Sequence, residues 1–489
     1  MKRALILSLR NSDFTEMFRL ARAIRDAGAY DPWIVTYTAV GNDVEFQQRR
    51  CDEEKIKLIV TRPVSLMQGP VNTELADHGK VFTWFSTQFR KMHELRNSYW
   101  RVVYAVGHLI SYVILFLQQI RQFRNMIHDF RPDILIVAED IVGLILPSFI
   151  KMGHKAGIPT VIVPYTIANA TEAAESLHVY PSYQVRGVLS RVMSFFYPRW
   201  VYDYKGHRLF RLPLYYMIAH TIFRLTPPDP WTMNSGYANA IAIENAEMKK
   251  YYEREGFLDS KLRITGAIYD DTLTSVLQEK EQRREAVYKQ LGLPVSRRLI
   301  VVGAPPNQLA TPRPGCPYKT YEDVLSNLAR ELKQAQENGW NVIIRPHPNF
   351  MDIEKYFEPY GLRVTDIDTA DLIPLADIYL AYASATIRWA IACGIPCINY
   401  DLFQYHYNDY KGAPGVIHAY QPNEFEGILQ KLTSDDAYYA QVKQAQDRVR
   451  NDWGHTDGQS TARMIALFDE LTQKHPAPRT PTTHIRKRA

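Results

Sequence analysis

Apolar residues along the chain gather in short continuous runs, and the stretches between them carry helical spacing. Ala4 to Leu9 has the length of a strand, and Phe14 to Ala27 then places Met17, Leu20, Ala21 and Ile24 on one helical stripe. Asp13 with Glu16 has the spacing of a capping box at the start of that helix, and Gly28 stands where it should end. Trp33 to Tyr37 reads as the next strand. Further on, Asp133 to Ala138 predicts a strand, Leu144 to Ala156 a helix, and Thr160 to Val163 a strand. These strands are apolar throughout rather than alternating, as in a parallel sheet covered on both faces.

The second half repeats the plan. Arg298 to Gly303, Asn341 to Arg345, Asp377 to Tyr382 and Cys397 to Tyr400 read as strands, with helices over Tyr321 to Asn338 and Thr386 to Cys393. A Gly-Ile-Pro step from helix to strand occurs once in each half, at Gly157-Ile158-Pro159 and at Gly394-Ile395-Pro396. Between Ala240 and Asp271 the order is strand, helix, Gly256, strand and Gly266, followed by a charged helix near Gln278 to Gln290. The pattern predicts an α/β chain with two Rossmann-like, doubly wound domains facing a cleft. The expected division is 1–270 and 271–474, the last helix being Ser460 to Gln473. The Pro-containing basic tail 475–489 is expected to be disordered.

Composition narrows the classes. With 46% hydrophobic and 22% charged residues the chain is an ordinary globular sequence. A formal charge of +6 suits an anionic small substrate or an acidic membrane surface and is too diffuse for nucleic acid. Four cysteines in 489 residues make no disulfide framework, and Cys393 with Cys397 lacks the second pair that a zinc site needs. No signal peptide is legible at the start, and the expected location is the cytoplasm, at the inner face of its membrane. The longest apolar stretch, Val102 to Ile120, contains His108, Ser111, Gln118 and Gln119 and reads as a buried helix rather than a span. In 186–224 seven basic residues are interleaved with Phe195, Phe196, Tyr197, Trp200, Tyr202, Phe210, Tyr215 and Tyr216. That mixture fits a peripheral contact with anionic lipid, or an inserted helical hairpin packed on its own domain.

Candidate chemistry lies at strand ends, where open parallel sheets bind ligands. Arg345-Pro346-His347-Pro348 follows an apolar strand: Arg345 offers a planar fork for phosphate, and the prolines fix the backbone around His347. About 35 residues later Ser384-Ala385-Thr386 precedes a helix, where hydroxyls, free N–H groups and the helix dipole attract anions; plain N-capping is the alternative. Gly303 would let a ligand approach the backbone closely. Glu139-Asp140 ends a first-domain strand and could take a proton from an acceptor hydroxyl, or cap the next helix. Asp13 is the third acid near a strand end. Neither Asp13 nor the Glu139-Asp140 pair forms a metal-binding carboxylate set, so no metal and no cofactor is expected. No dinucleotide fingerprint, P-loop or nucleophile elbow is present.

The strand, Arg345-Pro346-His347-Pro348, then Ser384-Ala385-Thr386 before Gly394-Ile395-Pro396 resemble the C-terminal domain of a GT-B superfamily. That group covers bacterial sialyltransferases, Kdo transferases of capsule and lipopolysaccharide assembly, and CDP-glycerol phosphotransferases. The resemblance implies that His347 and Pro348, with Ser384 and Thr386, hold the phosphate and ribose of a cytidine nucleotide. Sialyltransferases also carry the base in an acidic pair followed by Gly; Glu139-Asp140 is similar, with Ile141 in the place of that Gly. Ala240 to Asp271 is similar to the domain-joining region of UDP-GlcNAc 2-epimerases. The implied activity is an inverting, metal-independent glycosyl transfer, with Asp140 or Glu139 as base. The donor would bind the second domain, preferably as a CMP-activated nonulosonate or Kdo-like sugar. A surface-glycan, glycolipid or protein acceptor would bind the first. A UDP-sugar transferase, a UDP-GlcNAc 2-epimerase and a non-catalytic glycan-assembly scaffold are the alternatives.

Overall fold

The computed structural model describes residues 1–38, 42–61, 98–143, 145–165, 167, 170–234, 237–309, 315–347 and 350–474. The tail 475–489 and Pro348 therefore lie outside the described residues. The chain forms two compact units: Met1–Ala242, Glu255–Arg263 and Ile465–Ala489 make the first, Ile243–Arg254 and Ile264–Met464 the second. A single division near residue 270 does not describe this arrangement, because the chain returns. The helix Ser460–Lys474 ends in the first unit, where Asp469 accepts hydrogen bonds from Lys2 (2.7 Å) and Tyr30 (2.9 Å) and Phe468 meets the Tyr30 ring edge-on.

The first unit carries seven strands in the order β3-β2-β1-β4-β5-β8-β9. They are β1 (Lys2–Leu7), β2 (Tyr30–Tyr37), β3 (Lys57–Thr61), β4 (Ile134–Val137), β5 (Thr160–Ile162), β8 (Ala240–Ile243) and β9 (Leu262–Ile264). β1 lies between β2 and β4, parallel to both, with Leu7 opposite Val35 and Val137. Strand order therefore reverses between β1 and β4, which leaves a crevice beyond their carboxyl ends. β4 and β5 are buried at every position, β4 being apolar throughout and β5 apolar but for Thr160, whose hydroxyl donates to Asn239 Oδ1.

The helix after β1 runs Asn11–Asp26 and begins earlier than its apolar stripe suggests. Arg10 is the N-cap and Asp13 the third helical residue, so Asp13 closes the box backwards onto Arg10 rather than forwards onto Glu16. Gly28 ends the segment at φ +66, a conformation that costs glycine little.

The second unit carries six parallel strands in the order β12-β11-β10-β13-β14-β15. These are β10 (Leu299–Gly303), β11 (Asn341–Arg345), β12 (Arg363–Val364), β13 (Ile378–Ala381), β14 (Cys397–Tyr400) and β15 (Val416–Ala419). Here the reversal falls between β10 and β13. The helix Tyr321–Glu337 covers one face, with Leu325, Leu328 and Leu332 packed on Ile300, Val302 and Ile344, and a Thr320–Asp323 capping box starts it. The charged helix expected near 278–290 is Lys280–Leu291, preceded across Glu279 by a further helix, Asp270–Gln278. Cys393 and Cys397 are buried as free thiols.

The segment 186–224 contains the helix Gly187–Phe196, an antiparallel hairpin of β6 (Val201–Tyr204) and β7 (His207–Phe210), and the helix Leu214–Ile222. The alternative of a helical hairpin is thus met only in part, since a β-hairpin separates the two helices. Its Lys205-Gly206 turn has positive φ at both residues (48 and 78), the twist that matches paired strands. Trp200, Phe210, Tyr216 and Met217 pack on Tyr112, Leu115 and Phe116 of the 33-residue helix Ser98–Phe130. That long helix is not buried all round: Val106, Ile110, Ile114 and Leu117 face outward. Among the described residues no helix is long and apolar enough to cross a membrane.

One ion pair in the second unit is almost wholly enclosed. The Arg388 guanidinium donates to the Glu244 carboxylate, with both side chains at most 2% exposed. It ties the helix Ile387–Ala392 to the segment that follows β8. Removing one partner strands a buried charge, whereas removing both does not. Glu244→Gln and Arg388→Met are each expected to destabilise by about 3–5 kcal/mol, and a paired apolar replacement to recover most of that. Denaturant unfolding of the single and double variants checks this.

Candidate functional site

Each sheet presents polar side chains where its strand order reverses. In the first unit, Ser8, Leu9 and Arg10 leave β1 next to Glu139 and Asp140, which leave β4. All three acids expected there are buried, but their surroundings differ. Asp13 accepts from Ser8 Oγ (2.6 Å), Leu9 N (3.1 Å) and Arg10 N (3.0 Å), so its carboxylate shapes the loop that carries Arg10. Asp140 accepts from Tyr237 N at 3.3 Å, while its own N–H donates to Asn234 Oδ1 at 3.3 Å.

Glu139 is the exception. It is 1% exposed, and neither carboxylate oxygen has a hydrogen-bond partner. Its nearest counter-charge is the Arg10 guanidinium at 3.6 Å. Burial raises its pKa from 4.5 to about 7, Arg10 opposes the rise, and the charges of Asp13, Asp140 and Glu172 add to it. Arg211 belongs to the same electrostatic cluster. It comes from the basic-aromatic segment but is turned inward, lies over the Trp231 ring, and its Nε has no hydrogen-bond partner. Burial lowers its pKa to about 10, and Tyr183, Glu172, Asp229 and Glu139 support the charge.

In the second unit the turn Ala383 to Thr386 follows β13. Ala383 is held at φ +47, a strained conformation for a residue with a Cβ, and its N–H donates to Asn399 Oδ1 at 2.9 Å. Tyr410 Oη donates to the Ser384 carbonyl at 2.9 Å. Ser384 Oγ and Thr386 Oγ1 are 2.8 Å apart, and Thr386 Oγ1 also meets Tyr379 Oη at 2.6 Å. The following helix, Ile387–Ala392, has only six residues, and Thr386 makes no side-chain cap to it. The clustered hydroxyls and the left-handed turn therefore define this site more than the dipole expected of a full helix.

Gly303 ends β10, opposite Arg345. A Cβ there would stand 2.8 Å from Tyr379 Oη, so the glycine makes room for the tyrosine that holds Thr386. Arg345 Nη1 donates to the Pro346 carbonyl (3.0 Å), and its Nε has no hydrogen-bond partner. His347 forms an isolated antiparallel bridge with Phe350, Phe350 N donating to His347 O at 2.8 Å. Burial and then the Arg345 charge lower the His347 pKa, so the ring is neutral at neutral pH. It lies past β11, one strand further from the reversal than Ser384 and Thr386.

Arg10, Tyr379, Asn399 and Tyr410 were not singled out from the sequence, and Arg211 only as one of the seven basic residues of 186–224. Arg10 was within reach, since it follows β1 as Glu139 follows β4. The others gave no local signal, because a side-chain partner seven to 26 residues away leaves no pattern in the sequence. The spacing Asp366-Ile367-Asp368 also resembles an acidic metal motif, but Asp368 accepts from Ala370 N at 2.9 Å as a helix cap. Among the described residues no group of three or more metal-ligating side chains is found.

No protein-family model and no curated protein sequence matches the chain. Its fold does match solved structures. UDP-GlcNAc 2-epimerase from Neisseria meningitidis, bound to UDP-GlcNAc, matches with a TM-score of 0.52 at 12% identity, over 97% of this chain and 100% of that one. The S. aureus MnaA–UDP structure gives 0.52 at 11%, over 98% and 99%. The wall teichoic acid polymerase TagF gives 0.51 at 11%, over 96% and 89%. At such identities the likeness establishes the fold, two Rossmann-like domains of the GT-B type.

The buried carboxyl has a testable consequence. Folding moves Glu139 from 4.5 to about 7, so the folded chain holds this proton more tightly than the unfolded one. Its contribution to stability is therefore greatest below the unfolded value and falls as pH rises to about 7. The loss amounts to about 3 kcal/mol. Glu139→Gln is expected to raise the melting temperature over the parent at pH 8 and not at pH 4. Destabilisation by Glu139→Gln at pH 8 would instead mark the Arg10 pair as a structural anchor.

Proposed function

We propose that the protein is an inverting glycosyltransferase that uses a nucleotide-activated sugar, with Glu139 as its general base. The carrying observation is an enclosed carboxylate at a strand-order reversal, free of hydrogen bonds and with a pKa near the working pH of a base. Proteins place such groups where catalysis needs them more often than where folding does. Glu139 would accept the acceptor hydroxyl's proton as that oxygen attacks the anomeric carbon and the nucleotide leaves from the opposite face. Reaching it requires the half-exposed Arg10 side chain to move aside. Asp13 and Asp140 are positioning residues in this scheme, since backbone groups already occupy them.

The second domain would hold the nucleotide. Ser384 and Thr386 offer hydroxyls to its phosphates, and Arg345 and neutral His347 border the same sheet edge, with Gly303 setting the Tyr379 buttress; Pro348 is proposed as a donor-site residue on the motif alone. Fixed donors around a leaving phosphate stabilise the charge that builds on it. The mechanism is proposed as metal-independent because the acids of the site are engaged by backbone groups and guanidinium. The acceptor is proposed as a glycan or glycolipid.

The donor's base is the open choice. The resemblance of the His-Pro and Ser/Thr motifs supports a CMP-activated acidic sugar. The uridine ligands of the Neisseria meningitidis epimerase and S. aureus MnaA structures support a UDP-sugar, and the first of them a second reading as a UDP-GlcNAc 2-epimerase. Thermal unfolding with CMP, CDP, UDP and GDP in turn separates the donors. A nucleotide at 100 times its dissociation constant stabilises by about 2.7 kcal/mol. The expected shift occurs with one base class and is lost in His347→Ala and Ser384→Ala; a shift retained in both variants refutes the assigned site.

Catalysis is tested separately. Glu139→Gln is expected to lower transfer at least about 100-fold without weakening nucleotide binding, and parent activity to fall as pH drops below about 7. Release of free sugar and UDP from donor alone would favour the epimerase. Unchanged behaviour of the Glu139→Gln, Asp140→Asn double variant would leave a scaffold.

A further inference from the structure

The helix Gly187–Phe196 is amphipathic in the wrong sense for a helix packed on its own domain. Met193 and the buried Ser194 face inward, Met193 against the core around Trp200 and Tyr216, and Ser194 Oγ turns back to the Arg191 carbonyl at 2.7 Å. The strongly apolar residues face outward: Val188, Leu189, Val192, Phe195 and Phe196, with Phe195 82% and Phe196 68% exposed. At 3.6 residues per turn these five positions fall in one stripe about 120° wide. Water gains nothing from such a face, and a contiguous apolar surface of this kind marks a place where something else sits.

Charge says what sits there. From Arg186 to Arg199 the sequence holds three arginines and no carboxylate. Lys205 and Arg208 nearby are paired with Glu175 and Asp203, but among the described residues no ion pair neutralises Arg186, Arg191 or Arg199. Exposed phenylalanines rimmed by unneutralised arginines complement the acyl boundary and phosphates of an anionic membrane. The long helix Ser98–Phe130 packs on the same core through Tyr112, Leu115 and Phe116, and it leaves its own apolar stripe, Val106, Ile110, Ile114 and Leu117, outside.

We propose that the outward face of the helix Gly187–Phe196 docks the protein on an anionic lipid bilayer, seating Phe195 and Phe196 at the boundary between headgroups and acyl chains. The helix lies in the interface and does not span it, since ten residues are half of what a crossing needs. The structure thereby sorts the aromatic-basic segment. Trp200, Phe210, Tyr216 and Arg211 serve the interior, and the stretch 186–199 serves the membrane.

The test is co-sedimentation of the full chain with vesicles of phosphatidylcholine alone and of phosphatidylcholine with phosphatidylglycerol. Binding is expected to the anionic vesicles and to weaken about tenfold for each of Phe195→Ser and Phe196→Ser, as loss of a buried phenyl ring predicts. Replacing Arg186, Arg191 and Arg199 by Gln is expected to abolish the preference for the anionic vesicles. Both sets of substitutions lie on exposed side chains, so an unchanged melting temperature confirms that the fold is kept. No binding to either vesicle, or binding indifferent to Phe195→Ser and Phe196→Ser, overturns the proposal. So does self-association without lipid that these substitutions abolish, since it would make a second copy the occupant. None of these readings depends on enzymatic activity.

Discussion

A parallel strand covered on both faces can present polar chemistry only past its ends. Here the strands next to a reversal of strand order are buried over Ala4–Leu7 of β1, Leu299–Val302 of β10 and the whole of β4 and β13. Side chains with hydrogen-bonding capacity are thereby confined to the loops at the carboxyl edge, where helices on either side diverge and leave space. Glu139 and Arg10 in one unit, and Gly303 with Ser384 and Thr386 in the other, stand at that edge. The packing of the sheets has made the location of the chemistry nearly compulsory.

What differs between residues at the edge is how far the backbone has already claimed them. Asp13 and Glu139 are both acidic, both buried and both near β1. Asp13 is consumed by two loop N–H groups and a serine hydroxyl, while Glu139 has only a guanidinium beyond hydrogen-bond distance. An unsatisfied buried carboxylate is costly to the fold, and that cost is tolerated where a substrate supplies the missing partner. The Ser384–Thr386 turn carries its strain differently. Left-handed Ala383 is held by Asn399, the Ser384 carbonyl by Tyr410 and the Thr386 hydroxyl by Tyr379, so the turn is set before any ligand arrives.

The two sheets are legible in the sequence because continuous apolar runs mean the same thing wherever they occur. Strand positions from Ala4 to Tyr400 lie within a few residues of those predicted. The acidic and hydroxyl candidates were legible too, since strand ends are visible once strands are. Where the reading failed, a contact distant in sequence decided. The last helix ends in the first unit because Asp469 meets Lys2 and Tyr30. The 186–224 segment holds a β-hairpin because Lys205-Gly206 can turn with the right twist and Trp200 and Phe210 find the long helix.

The sequence by itself therefore determined the doubly wound α/β class, the order of its central strands and the short loops from which any site must be drawn, while the edge strands β3, β12 and β15 escaped it. These follow from periodicity and from glycine and proline placement, which act between near neighbours. Tertiary structure alone decided which of three acids is left without a hydrogen bond, and which arginine of the basic-aromatic segment turns inward. It also decided which face of the helix Gly187–Phe196 meets solvent. Burial and hydrogen-bond satisfaction are set by residues tens to hundreds of positions away, and no local pattern records them.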